Sequence, residues 1–558
     1  MMRRLVISRL HVITAVLIAS SIASGCLETM GLTPVSTSTG GETGGSGSAQ
    51  GSGGSGGDIF MEVCKPGEVQ SCYPGPQGTE GVGICAPGTQ TCLANGTGFG
   101  TCDKALVPRF DDCASADDED CDGQATSSCT GAANSFIPID VSSTQDLVFG
   151  IAARNGHIAV TGVVNGSAVS NRYTQLGTGN MFVGVWDSEG KKIWSHTFTS
   201  NTVAVGRAVA LLDNGSVIVG GDYMGTFTDA QGAEVLPASD ATDAFAMAFD
   251  GAGTKQWSTP YRGALDQSIR AIAVSAKNEV YVTGELSGDT TFGCNVLAAN
   301  TSSRDVYLAK LDEKGACMWS RRWGDNNQQF GRSVAVAPNG DVLMVGSFEG
   351  TLDFVDAVLN SAGAMDAFVS RFDANGKLAW AKRFGGNMDQ FGWGVAAGPR
   401  GEVAMTGFFD GSIDFGGNVL NNRGGLDMYL AVFDANGTHR SSKSFGETFD
   451  QHGTAAAIDG AGHVVVGGYA QGDVDFGGGP YMQNNLVDVT YAKFSRDGVH
   501  EWSGKKGDIN TQVVHAVATD EKGNVYLGGG FEGTLDFGNS VTRTSTGQFD
   551  TFVVRLAP

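Results

Sequence analysis

Three aspartates at alternating positions have the spacing to coordinate a cation. Asp118, Asp120 and Asp122 precede Gly123 in the pattern D-x-D-x-D-G, where alternate carboxylates converge on one ion and the glycine permits a sharp turn. Position twelve of a complete EF-hand loop is a bidentate glutamate, and here it is Cys129. The sequence therefore excludes an EF-hand and leaves two interpretations, a calcium loop closed by a disulfide or a solvated acidic loop. Carboxylate oxygens favour Ca²⁺ over copper.

A dense group of cysteines surrounds this run, and its spacing favours disulfides over zinc. Zinc sites need closely spaced ligand pairs, but at least six residues separate successive cysteines, and residues 58–130 contain no histidine. We therefore predict an exported, disulfide-rich module over 58–130, with 105 possible pairings left open. The eight cysteines are Cys64, Cys72, Cys85, Cys92, Cys102, Cys113, Cys121 and Cys129.

The N-terminus carries the features of an export signal. Three arginines precede an apolar stretch from Leu10 to Ile22, which ends in small residues before Cys26. Residues 23–26 resemble the bacterial lipobox, although Ala23 stands where leucine is usual. We expect a signal peptide over 1–25, a lipid on Cys26 and a Gly/Ser-rich tether over 26–57, with a plain secretory signal as the alternative. This predicts an exported protein anchored to the membrane of the cell envelope, at the outer membrane or cell surface.

From residue 131 onward the sequence repeats, which is the strongest signal of fold. The 428 residues from 131 to 558 divide into seven copies of about 61 residues. Each copy predicts four short strands, one of them continuously apolar and ending in glycine, as in residues 341–346 and 402–407. A second strand opens with aspartate in six copies, and a third carries tryptophan in five. The sequence therefore predicts an all-β fold, a seven-bladed β-propeller over 131–558.

The two ends of the repeat region complement each other. Copy seven stops after the strand that begins at Asp550 and lacks a tryptophan strand, whereas residues 135–139 precede copy one without a partner. In five copies the tryptophan lies 16 residues before an alanine of the next strand, and Phe136 lies 16 residues before Ala152. We expect the strand from Phe136 to Ile139 to close the ring, with Phe136 in the position of the tryptophan.

Both parts of the chain resemble known bacterial families. The motifs at residues 531–538 (Phe-Glu-Gly-Thr-Leu-Asp-Phe-Gly) and 373–385 are similar to those of the bacterial beta-propeller repeat family. The cysteine and glycine spacing of the N-terminal module, ending in Asp-Glu-Asp-Cys-Asp-Gly, resembles a module of myxobacterial surface lipoproteins and a bacterial metal-binding motif. These resemblances imply an exported or surface location and no particular activity.

Repetition also tests for catalysis, because a catalytic residue would usually break the repeat. Two sets of polar residues recur in the copies, and we predict that they tie turns to strands by hydrogen bonds. The propeller's seven histidines are scattered, His452 replaces Phe330 and Phe391 of neighbouring copies as a packing or turn residue, and no H-E-x-x-H, G-x-S-x-G or P-loop motif is present. We therefore expect no enzyme. The recurring residues are Asp353, Asp414, Asp475 and Asp536, and Gln267, Gln329, Gln390, Gln451 and Gln512.

Charge and composition narrow the partners. With 36 basic and 59 acidic residues the net charge is −23, and no basic cluster offsets it, so nucleic-acid binding is not expected. We predict a lipid-anchored surface protein whose propeller binds a glycan, a protein or a surface polymer. A propeller enzyme with its site on the central channel and a structural envelope component are the alternatives. Whether Cys294 and Cys317, present only in copy three, form a disulfide stays open.

Overall fold

The computed structural model describes residues 64–75, 78–106, 131–139, 144–166, 179–299, 303–481, 486–538, 541–546 and 548–558. The expected signal peptide and tether, with Cys26, lie outside the described residues, as do Cys113, Cys121, Cys129 and the acidic run of Asp118, Asp120 and Asp122. The described secondary structure consists of strands. None of the described segments forms a helix that is long and apolar enough to cross a membrane.

The cysteine module contains an antiparallel hairpin stapled by disulfides. Strand β1 (Val69–Cys72) pairs with β2 (Gly88–Thr91). Cys64 is bonded to Cys92 and Cys72 to Cys102, and Cys85 is disulfide-bonded as well. The disulfide interpretation is therefore confirmed for these five cysteines.

Strand β3 (Ala133–Phe136) opens the repeat region and is followed by the strands of the blades. The first three blades contain β4 (Gln145–Arg154), β5 (His157–Gly166), β6 (Asn180–Asp187), β7 (Lys192–Phe198); β8 (Val203–Leu211), β9 (Val217–Thr228), β10 (Glu234–Phe249), β11 (Lys255–Tyr261); β12 (Gln267–Val274), β13 (Val280–Leu286), β14 (Thr290–Thr291), β15 (Val296–Leu297), β16 (Asp305–Leu311) and β17 (Cys317–Trp323).

The remaining four blades follow the same order. They contain β18 (Gln329–Val336), β19 (Val342–Phe348), β20 (Thr351–Asp353), β21 (Val358–Asn360), β22 (Asp366–Phe372), β23 (Leu378–Phe384); β24 (Gln390–Ala397), β25 (Val403–Phe409), β26 (Ser412–Ile413), β27 (Leu420–Asn421), β28 (Asp427–Phe433), β29 (His439–Phe445); β30 (Gln451–Ile458), β31 (Val464–Gln471), β32 (Val487–Phe494), β33 (His500–Lys506); β34 (Gln512–Thr519), β35 (Val525–Phe531), β36 (Thr534–Asp536), β37 (Thr542–Thr544) and β38 (Asp550–Leu556).

Across the described residues these strands form seven four-stranded antiparallel sheets, in the order β18-β19-β22-β23 in the fourth blade and equivalently in the others. The first strands of the blades contact one another in a closed cycle, β4, β8, β12, β18, β24, β30, β34 and back to β4. They therefore line a central channel, and the prediction of a seven-bladed propeller is confirmed. The middle strands of each blade, such as β19 and β22, are buried along their whole length because neighbouring blades cover both of their faces.

The N-terminal strand closes the ring, as the sequence predicts. β3 pairs with β38 as the outer strand of the seventh blade, and the Ile137 N–H donates to the carbonyl of Val553 at 2.8 Å. Ile137 and Ile139 are buried in a cluster that includes Trp186 of the first blade. The seventh blade is therefore built from both ends of the repeat region, which removes two exposed sheet edges.

The expectation that Phe136 takes the place of the tryptophan is wrong by one residue. In the fourth blade Trp380 stands opposite Arg371, and the equivalent partner of Arg555 in the seventh blade is Ser135. Phe136 is half-buried and contacts Phe537 edge-to-face, with 5.7 Å between ring centroids. The link from the closing strand to β4 is one residue longer than the corresponding links in other blades, so equal spacing selected the neighbouring position.

The recurring tryptophans join successive blades. Their indole N–H groups donate to carbonyls in the last turn of the next blade, from Trp194 to Gly251, from Trp257 to Glu313, from Trp319 to Ala374 and from Trp380 to Ala435. Each tryptophan thus contributes apolar contact and satisfies a turn carbonyl.

The recurring polar residues are structural, as predicted. Each recurring glutamine donates from Nε2 to a carbonyl twenty residues later, for example from Gln390 to Asp410 at 2.9 Å. Asp414 accepts the N–H of Gly416, and Asp353, Asp475 and Asp536 cap their turns equivalently. These side chains hold the blade geometry that positions the channel.

Candidate binding site in the central channel

A β-bulge interrupts every inner strand at the same position. In β18, for example, the register shifts between Gly331 and Ser333, which leaves Arg332 as the extra residue. A bulge aims its extra side chain away from the regular alternation, and all seven of these side chains line one cavity in the channel. The seven bulge residues are Phe149, Arg207, Arg270, Arg332, Trp393, Thr454 and His515.

The ring of bulge residues is asymmetric. Three arginines stand on consecutive blades, the second to the fourth, and aromatic or smaller polar residues occupy the other four. The cavity has a volume of about 480 Å³, which is in the range of sites that bind small molecules or single chain segments. The repeat is thus broken at one level of the channel while the surrounding framework is preserved.

Two of the arginines are paired with buried carboxylates. Arg207 donates to both oxygens of Asp222, at 2.8 and 3.1 Å, and Arg270 donates to Oε1 of Glu285 at 2.9 and 2.6 Å. Burial would raise the pKa of Asp222, but Arg207 outweighs it and holds that pKa below its usual value. Arg270 does the same for the pKa of Glu285. Both carboxylates are therefore ionised at neutral pH.

Arg332 is placed differently. Its guanidinium lies between the rings of Phe330 and Trp393, 4.7 and 4.8 Å from their centroids. Among the described residues, the only carboxylate oxygen within 4 Å is Oε2 of Glu285, at 3.9 Å, beyond hydrogen-bond distance. Burial, together with the charge of neighbouring Arg270, lowers the pKa of Arg332 to about 10 against the opposing charge of Glu285. The side chain is still a cation at neutral pH, and it is incompletely compensated.

An arc of rings from the fifth and sixth blades faces the arginines. Trp393 lies 5.5 Å from Phe408, Phe408 lies 4.0 Å from His452, and His452 stacks on Tyr469 at 4.8 Å, all between ring centroids. All four rings line the cavity. The sequence predicts a packing or turn role for His452, and its stacked, buried position confirms the packing role. The same position also makes it part of the cavity wall.

The second histidine of the cavity has no basic character at neutral pH. His515 packs against Phe149 with 5.1 Å between ring centroids, and burial together with the charge of Arg207 lowers its pKa to about 4. In the part of the chain that the structure describes, no carboxylate pairs with His515. This arrangement supplies no activated base.

Metal binding has no support from the described residues, where no group of three or more His, Cys, Asp or Glu side chains is placed to hold an ion. The calcium interpretation concerns Asp118, Asp120 and Asp122, which lie outside that part of the chain.

Sequence reasoning missed the arginines and Trp393, although the signal was present. Each bulge residue stands three residues before the recurring alanine of its inner strand, as Arg332 does before Ala335. Across the seven copies this position varies more in charge and size than its neighbours do. The repeat-breaking criterion, applied to that column rather than to histidines, identifies the site.

Comparison with protein-family models gives no match. Regulatory protein FlaEY of Caulobacter vibrioides is 26% identical over 332 residues, which are 55% of this chain and 34% of that protein. A WD repeat-containing protein of Acanthamoeba polyphaga mimivirus is 21% identical over 465 residues, which are 67% of this chain and 33% of that protein. The chain thus spans about a third of the length of these curated relatives.

Solved structures with some likeness include other propellers. The WD40 β-propeller domain of Doa1 covers 75% of this chain and 96% of its own, with a TM-score of 0.39 and 11% identity. The Neurospora crassa Pan2 WD40 domain covers 75% and 98%, with a TM-score of 0.38 and 12% identity. A puromycin hydrolase covers 75% of this chain and 56% of its own, with a TM-score of 0.38. The chain is similar to these proteins, and its propeller fold rests on its own strand pairing.

Proposed function

We propose that this chain is an exported, lipid-anchored cell-envelope protein whose propeller is a non-catalytic binding domain for a glycan, protein or surface polymer. One observation carries the binding role: the framework of the seven blades repeats, while the side chains around the channel cavity differ from blade to blade. A purely structural ring has no need of such asymmetry. Evolution of a binding site on a repeat fold requires it, because a ligand is not sevenfold symmetric.

A binding role is better supported than catalysis by the chemistry of the cavity. Asp222 and Glu285 are held as ionised partners of arginines, and the low pKa of His515 leaves that ring uncharged. General acid–base catalysis requires a group whose pKa lies near the working pH and that can reach a substrate proton. The arginines and rings instead supply fixed charge and flat apolar surface, which suit recognition.

Export is supported by disulfides in two parts of the chain. The module carries Cys64–Cys92 and Cys72–Cys102, and the third blade carries Cys294–Cys317. Disulfides persist in oxidising compartments, which agrees with the expected signal peptide and with lipidation of Cys26. The domain boundaries over 1–25, 26–57 and 58–130 are part of the same proposal.

Two measurements test the proposal. Replacing Cys26 with Ser should move the protein from the membrane fraction to the soluble exported fraction, and unchanged partitioning would exclude the anchor. A binding array of glycans, envelope polymers and envelope proteins, probed with the full chain and with an Arg332→Gln variant, should identify a ligand that the variant binds more weakly. Chemical turnover of that ligand would instead establish the propeller as an enzyme.

A further inference from the structure

The guanidinium of Arg332 lacks the carboxylate that its two counterparts have. Arg207 and Arg270 donate to Asp222 and Glu285 at hydrogen-bond distance, whereas Arg332 lies 3.9 Å from the already engaged Glu285. The cluster therefore contains three guanidiniums and two carboxylates. Because a buried cation without a hydrogen-bonded anion is costly, an external anion at Arg332 would complete the pattern that the protein itself makes at the neighbouring blades.

The surroundings of Arg332 restrict the shape of that anion. Trp393 flanks the guanidinium, and Phe408, His452 and Tyr469 continue the aromatic wall along the cavity. A flat apolar wall next to a cation fits a ring-shaped ligand that carries a carboxylate. The carboxylate would accept hydrogen bonds from the planar guanidinium, while a face of the ligand ring packs against the aromatic side chains.

The size of the cavity restricts the ligand further. A volume of about 480 Å³ is at the lower end of the range for small-ligand sites. It admits one or two rings or the end of a chain, and it does not admit the surface of a folded protein. An acidic peptide matches the charge but fits the wall less well, because Asp and Glu carry their carboxylates on flexible stems without a flat face.

We propose that the central channel binds a uronic acid residue of an acidic polysaccharide, with its carboxylate on Arg332 and its sugar ring against Trp393 and the adjoining rings. This rests on the proposed binding function and names the ligand class for it. The net charge of −23 opposes the approach of any polyanion. The site therefore takes one acidic ring locally, and binding is best measured near 0.15 M ionic strength, where charges more than about 8 Å apart are largely screened.

Calorimetric titration of the full chain tests this ligand class. The probes are a galacturonic acid trimer, its fully methyl-esterified counterpart and a glutamate trimer peptide. We expect saturable binding of the galacturonate trimer and at least tenfold weaker binding of the neutral ester, which keeps the rings and loses the charge. Equal or tighter binding of the glutamate peptide would overturn the sugar assignment in favour of an acidic peptide, and equal binding of the ester would overturn the role of the carboxylate.

Variants locate the site. Arg332→Gln and Trp393→Ala should each weaken binding of the galacturonate trimer at least tenfold, and Arg332→Lys should recover part of the loss by restoring the charge. Arg321→Gln is the matched control, since Arg321 is exposed on the outer strand of the same blade as Trp319. Thermal melting of each variant separates lost binding from lost folding. Wild-type affinity in the folded Arg332→Gln variant would overturn the proposal.

The outcomes also separate this inference from the proposed function. If the galacturonate trimer does not bind but the array yields another ligand that depends on Arg332, the inference fails and the binding function stands. If an array ligand is chemically converted, the binding function itself fails.

Discussion

Gly131 lies so close to the indole of Trp502 that a Cβ at this position would come within 2.7 Å of the ring atom Cδ2. The same relationship joins Gly253 to Trp194 and Gly315 to Trp257, where the glycine belongs to the last turn of the next blade. In the seventh blade that turn is cut open. Gly131 donates to the carbonyl of Ala557, and Ala557 donates to the carbonyl of Ala132 at 2.9 Å, as in an intact turn. The ring is thus closed by chain ends that reproduce a turn without a peptide bond between them.

Substitution of Gly131 should weaken this closure. Gly131→Ala adds a methyl group against the indole of Trp502 and places a side chain at a φ of 86°, so we expect a loss of about 2–3 kcal/mol. Gly538→Ala is the control, because Gly538 has a similar φ of 84° and no atom lies within 4 Å of the place that its new methyl group would take; it should cost only about 1 kcal/mol. Equal costs in urea unfolding would show that the Trp502 contact contributes nothing to closure.

Val355 should be a site where a glycine stabilises the protein. Its φ is 75°, whereas the equivalent turn positions in other blades are glycines such as Gly416 and Gly538. Val355 is 88% exposed, so its side chain gains little from packing. Since a β-branched residue is strained in this region, we expect Val355→Gly to raise the free energy of unfolding by about 1 kcal/mol.

The control for Val355 lies in the same hairpin. Val358→Gly, in strand β21, removes a residue that suits an extended backbone and should lower stability by up to about 1 kcal/mol. Melting temperatures that fall for both variants would contradict the strain at Val355.

Asp427 should make stability depend on pH. Burial raises its pKa to about 6, opposed by its backbone hydrogen bond from Arg423. The equivalent Asp366 has a cation, Arg383, at 2.5 Å, and the position equivalent to Arg383 next to Asp427 is Ser444. Because the folded pKa of Asp427 is above its unfolded value of about 4, the folded state holds the extra proton between pH 4 and 6. Stability contributed by this group is therefore present below pH 4 and lost as the pH rises through 6.

The variant Ser444→Arg supplies the missing cation. We expect it to lower the pKa of Asp427 and to raise the free energy of unfolding at pH 7 by about 1 kcal/mol, with a smaller gain at pH 4, where the carboxyl is more fully protonated. Arg383→Ser is the matched reverse change and should destabilise the fourth blade at pH 7. Unfolding curves at the two pH values measure both effects, and a gain that is the same at pH 4 and pH 7 would contradict this electrostatic account.

The disulfide of the third blade should be formed and stabilising. Cys294–Cys317 ties the β14–β15 hairpin to the outer strand β17 across a sequence separation of 23 residues. The double variant Cys294→Ser/Cys317→Ser should lose about 3 kcal/mol, by the entropy of closing a loop of that length in the unfolded chain. Thiol labelling of the unfolded, unreduced exported protein should give no adduct on either cysteine, and labelling of both would show that the bond does not form.

Repetition made most of the fold predictable. Seven copies of an apolar strand ending in glycine, with aspartate and tryptophan at fixed offsets, specify the number of blades and their four strands. The unpaired residues near Phe136 and the missing last strand specify closure as well. The register of that closure was not predictable, because a spacing of 16 residues cannot distinguish Ser135 from Phe136 when one connecting link is longer by a residue.

The candidate site depended on the tertiary structure. Sequence alone placed Arg332, Trp393 and His515 in three different copies, with about 60 residues or more between them and nothing to show that they face one cavity. Their convergence follows from two features that no local pattern encodes: a bulge at the same point of each inner strand, and closure of the blades into a ring around an axis. The sequence by itself determined the framework, because repeated hydrophobic and turn residues act locally. Only the ring decided which of the unrepeated side chains meet, because their contacts span blades that are distant along the chain.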